Sequence, residues 1–188
     1  MSVGTRTRSL VLAGTIAILF GALGATQSQA SIVAPGSACP GQQNQKAPEG
    51  KQESAMRCLI DYARSHSGVG GLDSNRALEQ AAGRKRKDVV DCGFSHTACG
   101  RESDLWPHEF GYTSGASSWA LGENLAWGRS SNGSARNILK AWLASASHRS
   151  TMLNSSFEDL GIGLYRGSFG GGGGDAGVWV LQVGCRGC

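Results

Sequence analysis

The stretch "LGIGLYRGSFGGGGGDAGVWVLQVG", residues 160–184, decides the fold class. Residues 160–167 and 177–184 are short runs rich in Leu, Ile, Val, Tyr and Trp, and the segment between them is dominated by glycine. Runs of that length and composition, bounded by glycine, read as two strands joined as a hairpin through a flexible connection. The segments N-terminal to them with a clear apolar period read as helices. In "SAMRCLIDYARSH" (54–66), Met56, Leu59, Ile60 and Ala63 share one helical face, with Ser54 as a cap and Gly68 as a stop. A second helix over 74–91 starts at Ser74 or Asn75, carries Leu78, Ala81, Ala82 and Val89 along one stripe, and stops at Gly93. A third over 134–145 opens on Ser134 and buries Ile138, Leu139, Trp142 and Leu143. Weaker helical signals lie at 103–110 and in a turn from His148 to Leu153. Helices first and antiparallel strands last predict an α+β domain with helices packed on a small sheet.

The N-terminus is a segment of another kind. Arg6 and Arg8 precede a nearly continuous apolar run at 9–23, and Ser28-Gln29-Ala30 offers a small-x-small cleavage site. Residues 1–30 therefore read as a secretory signal peptide, too short in its apolar part for a comfortable membrane span. Cleavage after residue 30 leaves 158 of the 188 residues and takes the formal charge from +4 to about +2. That is enough chain for one domain and too little charge to argue for nucleic acid or an anionic membrane. Residues 31–52, rich in Pro, Gly, Gln and Ser, read as an exposed, flexible lead-in to a domain over 53–188. The densest basic run, Arg84 to Lys87, spreads around its helix and reads as a solvated surface, with Lys85 or Arg86 snorkelling along apolar surface.

Six cysteines (Cys39, Cys58, Cys92, Cys99, Cys185 and Cys188) in an exported chain imply disulfides ahead of metal thiolates. Locality favours Cys92–Cys99 and leaves Cys39–Cys58 open, whereas a two-residue spacer strains a Cys185–Cys188 bridge. The same compartment argues against a zinc knuckle built from Cys92, His96 and Cys99, which needs reduced thiols and a fourth ligand.

His96 in "CGFSHTAC" (92–99), Glu123 in "LGENLAWG" (121–128) and His148 in "SASHRS" (145–150) are the residues whose chemistry stands out, with Glu158 and Asp159 as loose acids. Two imidazoles and a carboxylate suit zinc or another divalent cation, although separations of 27 and 25 residues place them in no local metal motif. A serine hydrolase has candidates in Ser95, Ser145 and Ser147 but no G-x-S-x-G elbow. His66 and His108 read as surface or capping residues. Of the five tryptophans, Trp142 and Trp179 lie in core patterns, and core is also the reading for Trp106, Trp119 and Trp127.

Four pieces in order carry a resemblance: "CLIDYARSHSGVGGLDSNRALEQAA" (58–82), "CGFSH" (92–96), "GENLAWG" (122–128) and "AWLASASHRSTMLNSSFEDLGIGLY" (141–165). From Cys58 to Val183 the chain resembles the CAP superfamily (SCP-like domain) of cysteine-rich secretory proteins, antigen 5 and pathogenesis-related proteins, in its bacterial secreted branch. The resemblance implies an α-β-α sandwich with helices on both sides of a three- or four-stranded antiparallel sheet. It also implies a cavity where His96, Glu123 and His148 converge, a site that binds zinc or similar cations in some relatives. Animal and plant relatives often carry a second glutamate three residues after a tryptophan. Here that position, after Trp142, is Ser145, which leaves three obvious ligands and one open position. The expected function is a secreted, non-enzymatic extracellular module whose cavity holds a cation and whose groove takes a lipid, carbohydrate or peptide. The alternatives are a hydrolase acting on peptide or cell wall through the same cluster, with Glu123 or a histidine as base, and a purely structural polar network.

Overall fold

The computed structural model describes residues 32–171 and 173–188, and the expected signal peptide lies outside them. The elements in chain order are α1 (Glu49–His66), β1 (Asp73–Ser74), α2 (Arg76–Cys92), α3 (Leu105–Glu109), β2 (Trp119–Arg129), α4 (Ala135–Ala144), α5 (Ala146–Met152), β3 (Asp159–Gly167) and β4 (Ala176–Arg186). The chain is α+β, and the hairpin read from 160–184 is β3 and β4.

The sheet order is β1-β3-β4-β2. β4 pairs antiparallel with both neighbours, whereas the two-residue β1 runs parallel to β3, so the sheet is mixed rather than wholly antiparallel. Alternation along the strands feeds two cores. Leu160, Ile162, Leu164, Trp179, Leu181 and Val183 pack with Met56 and Leu59 of α1 and Leu139 and Trp142 of α4. Val178, Val180 and Leu125 face the other way, onto Ala82 and Val89 of α2. Helices thus cover both faces. α2 lies very close to β3, because a Cβ at Gly161 would sit 2.1 Å from the Leu78 carbonyl carbon and one at Gly163 would sit 2.7 Å from the Ala82 oxygen.

Local chemistry explains where the elements depart from the sequence reading. α1 begins at Glu49, five residues before Ser54, whose hydroxyl instead donates back to the Gly50 carbonyl within the helix. The extra turn has a use at the sheet edge: Glu53 accepts from the Leu164 N–H and Glu49 from the Arg166 N–H. α2 is capped as expected, Asn75 accepting from Ala77 and Leu78, and Gly93 (φ 102°) ends it. The segment read as an exposed lead-in is partly core: Ile32, Val33, Ala34 and Cys39 are buried, and Arg136 of α4 donates to the Ala34 carbonyl and the Gln42 side chain. The Cys39–Cys58 bridge fastens it to α1, and Cys92–Cys99 and Cys185–Cys188 complete the pairing.

The basic run is not a uniformly solvated face. Arg84 lies 4.8 Å over the Trp106 ring, Arg86 reaches the Leu164 carbonyl and Glu49, and Lys87 pairs with Asp91 at 2.6 Å. Lys85 does not snorkel at all. It is fully buried, with Nζ donating to the carbonyls of His96 and Arg101.

Candidate functional site

Glu123 projects from β2 toward the α2 side of the sheet, beside its cross-strand partner Gln182 of β4. It is brought there by a strand that hydrophobic patterning alone does not show, since "WALGENLAWG" mixes small, polar and apolar residues on both faces. One carboxylate oxygen, Oε1, accepts from His96 Nδ1 at 2.6 Å, and the other, Oε2, accepts from Gln182 Nε2 at 2.6 Å. With Glu123 ionised, the pairing places the imidazole proton on Nδ1. His96 itself is half exposed, whereas the Glu123 side chain is only 3 % exposed. Burial pushes the Glu123 carboxyl above its ordinary range, against the opposing pull of the His96 hydrogen bond and the nearby Lys85 charge.

The loop that carries His96 is held from three sides. α2 ends at Cys92, the Cys92–Cys99 bridge closes the loop, and the Lys85 ammonium fixes the His96 carbonyl from beneath. A buried ammonium bonded to two carbonyls is a costly arrangement unless the geometry is firm, so Lys85 acts as a positioning residue for the loop.

His148 is near enough for the His96 charge to act on it but is not hydrogen-bonded to the pair. Asn124, which alternates to the opposite face of β2 from Glu123, donates to the His148 carbonyl at 2.8 Å and ties α5 to that other face. The His148 ring makes no hydrogen bond to His96 or Glu123. Burial, and then the charge of His96, hold its pKa below the ordinary histidine value. The serines are turned elsewhere: Ser95 bonds Thr97, and Ser145 and Ser147 bond each other. Asp159 accepts from the Tyr112 hydroxyl at 2.8 Å. His66 stacks on Tyr62, and His108 bonds Thr113 and sets its ring edge-on to Trp119.

These contacts do not suit a bound metal. Both Glu123 oxygens are already accepting, the His148 ring is not hydrogen-bonded to the pair, and among the described residues no group of three or more His, Cys, Asp and Glu side chains could hold a metal ion. In this geometry the residues present do not make a shared three-ligand zinc site.

What Glu123 does border is an open pocket of about 340 Å³, lined by Glu102, Ser103, Asp104, Trp119, Leu121, Gly122, Glu123 and Gln182. Trp119 is 43 % exposed there, not core. Gln182 is the contributor that sequence reasoning passed over. It is the one polar side chain within the apolar run "VWVLQVG", and a buried amide in a central strand is a signal that it serves a partner.

Known proteins share this architecture. The profile of the family described as "CAP: Cysteine-rich secretory protein family" matches residues 58–183. Among curated proteins, the uncharacterized protein YkwD of Bacillus subtilis is 29% identical over 106 residues. That alignment covers 56% of this chain and 39% of YkwD, so the chain spans well under half the length of that relative. Among solved structures, an outer surface protein from Borrelia burgdorferi superposes with a TM-score of 0.57 at 20% identity, over 70% of this chain and 90% of that one. An extracellular protein containing a SCP domain from Bacillus anthracis gives a TM-score of 0.56 at 22% identity, over 74% of this chain and 42% of that one. At those identities the likeness is one of fold.

Proposed function

The chain belongs to the CAP family of cysteine-rich secretory proteins, and from that membership we propose that it is an extracellular binding module whose ligand seat is the pocket beside Glu123 and Gln182. The observation that carries the reading is the hydrogen-bonded chain His96–Glu123–Gln182, which fixes a buried acceptor at the edge of an open, partly aromatic cleft. Rigid polar groups at the foot of a cleft, with an exposed indole on its wall, are the ordinary makings of a small-ligand site. The extracellular setting is supported by the signal-like N-terminal sequence and by three disulfides in the folded domain. Among the described residues no helix is long and apolar enough to cross a membrane.

The hydrolase alternative has less support. The Glu123–His96 pair has an acid–base look, but Ser95 is turned away from His96 and toward Thr97.

A fragment screen followed by ¹⁵N NMR of the mature chain tests the reading. Hits of any charge type should converge on the Trp119 indole and Gln182 amide signals, and Glu123→Ala should abolish their responses. Hits scattered over the surface, or unaffected by Glu123→Ala, would sink the assignment of the seat.

A further inference from the structure

One disulfide stands apart from the other two. Cys39–Cys58 joins the N-terminal segment to α1 across a sequence separation of 19, and Cys92–Cys99 joins the end of α2 to the next loop across 7. Cys185–Cys188 spans a separation of 3, at the end of a single strand. A ring that small removes the least freedom from the unfolded chain, so it contributes least to holding the fold. The sheet already fixes the chain around it. Arg186 pairs with Trp119 in the β2–β4 ladder, and the Gly187 N–H donates to the Ser118 carbonyl at 2.8 Å. Gly187 then turns the backbone at φ +80°, which glycine adopts without strain, and the Cys188 Cα comes to 6.0 Å from that of Cys185. None of these contacts needs the sulfur–sulfur bond, so the two thiols stay within reach of each other when it is cut.

The two sulfurs also differ in access. Cys185 is fully buried in the larger core, whereas Cys188 is exposed. We propose that Cys185–Cys188 is an exchange-active disulfide that oxidises dithiols, with Cys188 as the sulfur attacked. A thiolate of the partner dithiol bonds to Cys188 Sγ, the Cys185–Cys188 bond breaks, and Cys185 leaves as thiolate. The partner's second thiolate then attacks the partner sulfur of that mixed disulfide and expels the Cys188 thiolate. The partner loses two electrons and gains a disulfide, and this chain takes up the two electrons. The two protons shed by the partner's thiols pass through water to Cys185 and Cys188. A two-residue spacer is the arrangement in which paired cysteines exchange most readily, and access decides which sulfur is attacked. The preset turn keeps the reduced pair aligned, so an external disulfide can close it again.

The test starts from the folded mature chain under native conditions. Limiting dithiothreitol, quenched over time with iodoacetamide and read by peptide mass spectrometry, should label Cys185 and Cys188 at least about tenfold faster than the other four cysteines. The singly reduced protein should keep its native amide NMR spectrum except around Ser118, Trp119 and residues 185–188. Brief exposure to reduced glutathione, a monothiol, should leave its mixed disulfide on Cys188 and not on Cys185. A reduced two-cysteine peptide should gain its disulfide from the oxidised chain one for one, and over many turnovers when glutathione disulfide is supplied. Cys185→Ser/Cys188→Ser should lose that reaction and Cys92→Ser/Cys99→Ser should keep it. Reaction with dithiothreitol but not with the peptide upholds the exchange and restricts it to small dithiols. Comparable reduction rates for the three bridges, opening of Cys92–Cys99 first, or glutathione on Cys185 overturns the proposal, and none of these three readouts depends on a variant that folds.

Discussion

At the scale of single residues, the two most informative side chains are cations placed where cations are expensive. Lys85 gives its ammonium to the carbonyls of His96 and Arg101. Arg64, 1 % exposed, spreads its guanidinium over four carbonyls: Gly70, Met152, Asn154 and Phe157. Those carbonyls belong to the turn after α1 and to the chain leaving α5, so one planar fork ties two irregular segments that hydrophobic packing alone would not align. Burial lowers the pKa of Arg64, yet a guanidinium remains charged at any ordinary pH. Arg64→Ala should therefore cost about 3–4 kcal/mol in denaturant unfolding, because it strands several buried acceptors at once. Arg64→Lys should recover only a minor part, since a single ammonium cannot reproduce the fork. A loss under about 1 kcal/mol for the alanine variant would mean that water replaces the fork freely. In sequence, Arg64 was one more polar residue on a helix, and nothing in its local pattern marked its partners, which lie up to 93 positions away.

At the scale of elements, the outer edge of β3 shows why part of the fold was legible and part was not. The apolar stripes of α2 and α4 and the composition of β3 and β4 are visible in sequence because burial imposes a period. The first turn of α1 is polar and has no such stripe. Its work is to cover an unpaired strand edge, Glu53 and Glu49 accepting from Leu164 and Arg166 while Arg86 donates to the Leu164 carbonyl. β2 was missed for a related reason. Its face toward α5 carries Asn124 and the partly buried Ala126, and at Gly122 a Cβ would come within 2.8 Å of Thr151, so close packing against α5 replaces hydrophobic bulk there. The edge makes a pH prediction. Burial is the main cause that pushes the Glu53 pKa up from 4.5, with the Leu164 N–H opposing it and the neighbouring Glu49 adding to the rise. In the window between 4.5 and that raised value the folded state holds a proton the unfolded chain has released. The contribution of Glu53 is therefore fully present below the window and is lost as pH rises through it. Glu53→Gln keeps an oxygen for Leu164 and removes the titration. Melting temperatures measured across the window should move in the variant's favour as pH rises, and a constant offset between the two proteins would refute the assignment.

At the scale of the whole molecule, one sheet separates two tasks. The face toward α1 and α4 holds the larger core, and the face toward α2 holds the smaller core together with the His96–Glu123–Gln182 chain. The His148 backbone is tied to the other face through Asn124, while the charge of His96 still reaches its ring, so only two of the three residues are joined by a hydrogen bond. Residue spacing could not give those bonds, because the partners lie on separate elements that only the fold brings together. The site's loop then has two candidate supports, the Cys92–Cys99 bridge and Lys85, and they predict different outcomes when the bridge is removed. Closing a loop of sequence separation 7 is worth about 2–3 kcal/mol on the chain-entropy account. In a domain of this size Cys92→Ser/Cys99→Ser should thus melt roughly 5–10 °C lower. The Lys85 ammonium still grips the His96 carbonyl in that variant, so the His96–Glu123 hydrogen bond should survive, seen as an unchanged Nδ1-protonated tautomer in ¹⁵N NMR of the imidazole. If the tautomer signature disappears while the fold persists, the bridge orients His96 and Lys85 merely fills space beneath it.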